Sequence, residues 1–93
     1  MSTKIRSKKA YIRAKAVGTT PILLCHENPN RAGLLVYNNG TATVYILPTE
    51  THPIVEGIPV AAGASYENDT LTGELYIVAE SGTQDVRIEE DTD

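Results

Sequence analysis

The sequence predicts an all-β chain: a compact antiparallel β-sandwich or barrel of about seven to eight strands, with an extended N-terminal arm. Three observations lead there. Short runs of β-branched and aromatic residues recur between Gly, Pro and Asn, spaced as the strands of small sandwiches are. Nothing after residue 20 carries a helical period. Residues 9–17 alternate as a strand does, with Lys9, Tyr11, Arg13 and Lys15 on one side and Ala10, Ile12, Ala14 and Ala16 on the other. The 93 residues divide into a basic arm, 1–17, and a sandwich domain, 18–93, with an acidic C-terminal end.

Taken in order, Ile22–His26 reads as a strand closed by Glu27-Asn28-Pro29-Asn30, which is turn chemistry. Leu34–Asn38 and Ala42–Leu47 flank Asn39-Gly40, a strong short hairpin signal, because a type I′ turn needs positive φ at both central positions. Both faces of that hairpin are apolar. Leu35, Tyr37, Val44 and Ile46 share one, and Leu34, Val36, Tyr45 and Leu47 the other. A half-exposed antiparallel pair should alternate with polar residues. Either loops cover the second face or another subunit does. Residues 48–59 hold three prolines and read as a long ordered loop. Val60–Ala62 and Ala64–Asn68 are short strands about a corner at Gly63, and Leu75–Ala79 and Val86–Glu90 form a second hairpin about Ser81-Gly82-Thr83.

The size of the chain limits its core. A domain this small buries only about 60–65% of the surface its unfolded form exposes. One Cys excludes an internal disulfide framework, so stability completed by association is expected. No apolar run approaches the roughly 20 residues of a membrane helix. The basic N-terminus is followed by no apolar segment, so a secretory signal is not expected.

Charge is unevenly placed. Residues 1–16 carry Lys4, Arg6, Lys8, Lys9, Arg13 and Lys15 and no acid, whereas residues 17–93 set two arginines against all twelve acids. The net −4 therefore averages +6 on an arm and −10 on a body. The arm has three readings: a solvated tail, a phosphate-binding segment, or an extension that adds to a sheet edge or acidic surface of a neighbour. The acidic body would repel nucleic acid, and no aromatic-rich basic surface supports that reading.

Reactive chemistry is sparse. Cys25, His26 and His52 lack the spacings of a zinc site, and the adjacent strand residues Cys25 and His26 point to opposite faces. Gly63-Ala64-Ser65 begins like a nucleophile elbow but lacks the second Gly and the following helix. No acid/base pair or phosphate loop stands out, and neither enzyme activity nor a cofactor is expected. The sequons at Asn39 and Asn68 read as turns.

Three stretches do carry a likeness: residues 28–40 (Asn-Pro-Asn-Arg-Ala-Gly-Leu-Leu-Val-Tyr-Asn-Asn-Gly), residues 57–67 (Gly-Ile-Pro-Val-Ala-Ala-Gly-Ala-Ser-Tyr-Glu) and residues 73–83 closing on Asp85-Val86-Arg87-Ile88. Together they resemble small β-sandwich proteins encoded among the virion structural genes of tailed bacteriophages, over roughly residues 26–90. In that group a loop-borne Arg leads into a strand ending in Asn, then a Gly corner and a closing Leu-Tyr hairpin. The resemblance implies a capsid decoration (cement) protein on the outer virion surface, binding the major capsid protein and itself, as a trimer. A head–fibre or tail adaptor is the alternative within that group, and a host-surface or carbohydrate-binding module the alternative outside it. On this reading Lys4, Arg6, Lys8, Lys9, Tyr11, Arg13 and Lys15 reach the capsid or a neighbour, and Leu34, Val36, Tyr45, Leu47 and Arg31 are self-association candidates. Read without the likeness, Arg31 fixes its loop by bonding backbone carbonyls or a carboxylate.

Overall fold

The structure is a computed structural model that describes residues 9–92, and all that follows concerns those residues. The apolar runs become eight strands: β1 (Lys9–Val17), β2 (Ile22–Cys25), β3 (Arg31–Asn38), β4 (Val44–Leu47), β5 (Ile58–Val60), β6 (Ser65–Asn68), β7 (Leu75–Ala79) and β8 (Gln84–Thr92). They form two four-stranded antiparallel sheets, ordered β1-β8-β3-β6 and β2-β7-β4-β5. The sandwich expected from the sequence is thus the observed architecture.

The order has a simple origin. Each strand of the first half pairs with the one equally far from the other end: β1 with β8, β2 with β7, β3 with β6, β4 with β5. The chain is one long hairpin whose turn lies between β4 and β5. Rolling that ribbon adds the contacts β8–β3 and β7–β4 and closes a jelly roll. Val17, Leu34, Val36, Val86 and Ile88 of one sheet meet Leu24, Val44, Ile46, Val60, Leu75 and Ile77 of the other in a continuous core. Fully burying each of these aliphatic side chains contributes about 1.5–3 kcal/mol before chain entropy opposes it.

Both short hairpins expected from the sequence are corrected by this topology. β3 and β4 lie in different sheets, as do β7 and β8. Asn39-Gly40 and Ser81-Gly82-Thr83 therefore arch between layers rather than along a ladder. Neither Asn39 nor Gly40 takes the positive φ of a type I′ turn; among the described residues only Gly63, at +80°, and Gly82, at +61°, do. Asn38, fully buried, organises the first arch. Its amide donates to the carbonyls of Ala42 and Val60 at 2.8 and 2.9 Å, and its side-chain oxygen accepts the Gly40 N–H at 2.9 Å.

The expected strand at Val60–Ala62 is displaced to Ile58–Val60. Pro59 is tolerated there because β5 is an edge strand. The loop before it holds a single 3-10 turn, Ile54–Glu56.

The larger revision concerns the arm. Lys9–Val17 is an integral strand, paired with β8 along its length from Lys9 opposite Thr92 to Val17 opposite Gln84. Its alternation, correctly read as a strand, is satisfied by the chain's own C-terminal strand. Residues 1–8 lie outside the described residues.

Gly40 is required by close approach. A Cβ there would stand 2.2 Å from Gln84 Oε1, the atom that accepts the N–H groups of Thr41 and Ala42. Gly40→Ala should therefore lower unfolding free energy by about 1–3 kcal/mol, measured by urea denaturation, by displacing that acceptor from two backbone donors. An unchanged midpoint would show that Gln84 is not holding the arch.

Candidate interaction site

One end of the sandwich is organised by Arg31, at the start of β3 beside a bulge. Its side chain is fully buried. Nε donates to Glu90 Oε2 at 2.9 Å, Nη1 to the carbonyls of Leu71 and Gly73 at 3.1 and 3.0 Å, and Nη2 to the carbonyl of His26. Glu90 projects from β8, and its second oxygen meets Arg13 Nη1 of β1 at 2.9 Å. A buried cation is tolerable only when so completely answered. Burial raises the Glu90 carboxyl, but hydrogen bonds from Arg31 and then Arg13 outweigh it and hold the group below its ordinary value. Burial also pushes up the Cys25 thiol nearby, against the opposing charge of Arg31.

Arg13 and Lys15 point to the inner side of their sheet, opposite Ile88 and Val86. Arg13 Nη2 reaches the carbonyl of Leu24 at 3.1 Å and Lys15 Nζ that of Leu23 at 2.9 Å. These two cations thus close the gap between β1 and β2 and are engaged within the chain. Lys9 and Tyr11 are exposed on the free edge of β1, while Lys4, Arg6 and Lys8 lie outside the described residues.

The self-association candidates are placed differently from the sequence expectation. Leu34 and Val36 fill the core, because the two strands of the expected hairpin face each other across the layers. Leu47 is buried beneath the loop that ends at Gly57, where a Cβ would come 2.6 Å from Leu47 Cδ2. Only Tyr45 of those four retains partial exposure. Arg31 is occupied by its own loops, as its residue-level reading held.

The surface available to a partner lies on the opposite edge, where β5 and β6 leave the two sheets open. A groove of about 320 Å³ is walled by Ile46, Leu47, Ile58, Tyr66, Leu71 and Leu75, with His52 and Glu56 at the turn between β4 and β5. Ile58 and Leu71 of its walls are exposed by 47 and 40%, and the 3-10 turn between its lining residues His52 and Glu56 exposes Ile54 and Val55 by 37 and 85%. The sequence reads residues 48–59 as a long ordered loop and assigns it no contact surface. The available signal was an unusual aliphatic content, Ile54, Val55 and Ile58, in a proline-rich loop. This lining can exclude water from an apolar side chain, but it brings no nucleophile and base together. Among the described residues no group of three or more His, Cys, Asp and Glu could hold a metal ion.

No protein-family model matches the chain, and no curated protein matches it.

Two outcomes are expected at the Arg31 cluster. Arg31→Ala should cost about 3–5 kcal/mol in urea denaturation, since it strips a partner from Glu90 and leaves three carbonyls unanswered. Arg31→Lys should recover little of it, having no fork to span those acceptors. Because the folded Glu90 carboxyl binds its proton less readily than the unfolded chain, its contribution is present above about pH 4.3 and is lost as pH falls through the lower folded value. Between neutral pH and about pH 3, the native chain should lose more stability than Glu90→Gln. Parallel losses in the two proteins would refute the assignment.

Proposed function

We propose that this chain is a capsid decoration protein of a tailed bacteriophage, acting by binding and not by catalysis. The observation that carries the reading is the exposed aliphatic rim on the β5/β6 edge: Ile58 and Leu71 in the groove wall, with Ile54 and Val55 in the turn between the lining residues His52 and Glu56. Aliphatic side chains gathered at an open mouth serve a free monomer poorly and a docked subunit well. The sequence likeness to virion proteins supports the setting, and the rolled-hairpin architecture is shared by viral coat and lectin domains, which is support by analogy only. On this reading the rim seats on the outer shell where major capsid subunits meet, and trimeric association multiplies weak contacts. Each contact gains from apolar area removed from water at about 25 cal/mol/Å², most of it offset by the loss of rigid-body freedom.

The test uses capsids assembled without this chain and the purified protein added back. Native protein should co-sediment with the particles and raise their thermal disruption temperature. Val55→Asp combined with Ile58→Asp should abolish both effects while leaving the unfolding free energy within about 0.5 kcal/mol of native, as expected for exposed positions. Retention of binding by that variant would overturn the role of the rim. Hundreds of copies per particle support decoration, whereas a dozen or fewer would replace it with a head–fibre or tail adaptor. Strong selective signals on a glycan array would replace both with a carbohydrate-binding module.

A further inference from the structure

We infer that the free edge of β1 is a docking site for a partner strand of acidic, alternating character, which would extend the sheet β1-β8-β3-β6 by a fifth strand. This concerns the edge opposite the groove and stands whatever the groove binds.

β1 pairs with β8 and with no other strand, so over nine residues alternate N–H and C=O groups face away from the sheet. Among the described residues, the cover on that side comes from Arg13 and Lys15, whose heads bond the carbonyls of Leu24 and Leu23. Before Arg13 no described residue covers the edge. Lys9, Ala10, Tyr11 and Ile12 are all exposed, Tyr11 by 52% and Ile12 by 73%. The backbone is nevertheless fixed, because Lys9 to Ile12 are registered against Thr92 to Glu89. An extended, ordered and unpaired edge is the template that strand addition uses.

Charge selects the occupant. Lys9, Arg13 and Lys15 fall on one side of β1, and Ala10, Ile12, Ala14 and Ala16 on the other. A second copy is disfavoured. Antiparallel pairing of two β1 strands sets Arg13 against Arg13, or Lys9 against Lys15, and like charges directly opposite are destabilising. Lysines on an edge strand commonly deter such pairing. An incoming strand with a carboxylate opposite Lys9 and aliphatic residues opposite Ile12 meets both faces favourably, while the positive charge of Lys15, whose head stays on the Leu23 carbonyl, adds a longer-range attraction. The chain supplies an internal precedent on the other side of β1, where Glu90 of β8 stands opposite Tyr11 and pairs with Arg13.

The probe is a nine-residue peptide of alternating glutamate and valine, titrated into the full chain at neutral pH and followed by amide NMR. Amide shifts and slowed hydrogen exchange should concentrate at Lys9–Ala14, with affinity falling about tenfold or more between low and high salt. Two further peptides carry N-methyl groups on alternate residues, one set on each edge of the extended peptide. Strand addition predicts that one of them loses binding and the other keeps it. Equal binding of both would reduce the interaction to charge alone and overturn the proposal. So would equal binding of a lysine–valine peptide, shifts centred on the groove, or no binding at millimolar peptide.

Discussion

A guanidinium removed from water must have its N–H groups answered by the protein, and much of this molecule is arranged to answer Arg31. The side chain draws in one carbonyl from the loop after β2, two from the loop before β7, and a carboxylate from β8. Those acceptors come from segments far apart in sequence, so two loops and the strand β8 are positioned against β3 by one residue. The consequences reach both candidate surfaces. Leu71, a wall of the groove, has its carbonyl held by Arg31. Arg13, at the opposite edge, shares Glu90 with Arg31 and thereby ties β1 to the same centre.

The rolled hairpin explains why this fold was only partly legible in the sequence. Period and composition report which residues are extended, and they located every strand to within a few residues. They say little about which layer a turn leads to. Asn39-Gly40 has the composition of a tight hairpin, yet its glycine is there because Gln84, 44 positions on, occupies the space beside it. The pairing of β1 with β8 could not be read locally either, since the two segments lie at opposite ends of the described chain. The charge split was a usable hint: a basic strand at one end and an acidic strand at the other are complementary, and Arg13 with Glu90 realises that complementarity.

The site was less legible than the fold. Apolar residues on both faces of β4 were a real signal, and the explanation that loops cover the second face applies to Leu47, shielded by the loop ending at Gly57. The same signal pointed towards Leu34 and Val36 only because β3 and β4 were taken as neighbours in one sheet. Once the layers separate, those two side chains turn inward, and three of the exposed aliphatic residues, Ile54, Val55 and Ile58, prove to be in the proline-rich segment. Such a segment has no period to betray its role. Arg31 was the opposite case. A lone cation among Asn and Gly in an acidic body has few fates, and bonding to carbonyls and a carboxylate was one of them.

The antiparallel ladder between β1 and β8 also fixes how the molecule would bear a mechanical load. Lys9 and Thr92 lie side by side, so the described chain enters and leaves the sandwich at a single corner. Tension applied through its two ends would open that ladder like a zipper, one rung after another, at low force. Tension between one end and a surface seated on the β5/β6 edge would instead pull across both sheets. The Arg13–Glu90–Arg31 cluster sits where the zipper would start, and an ion pair there acts as the first clasp.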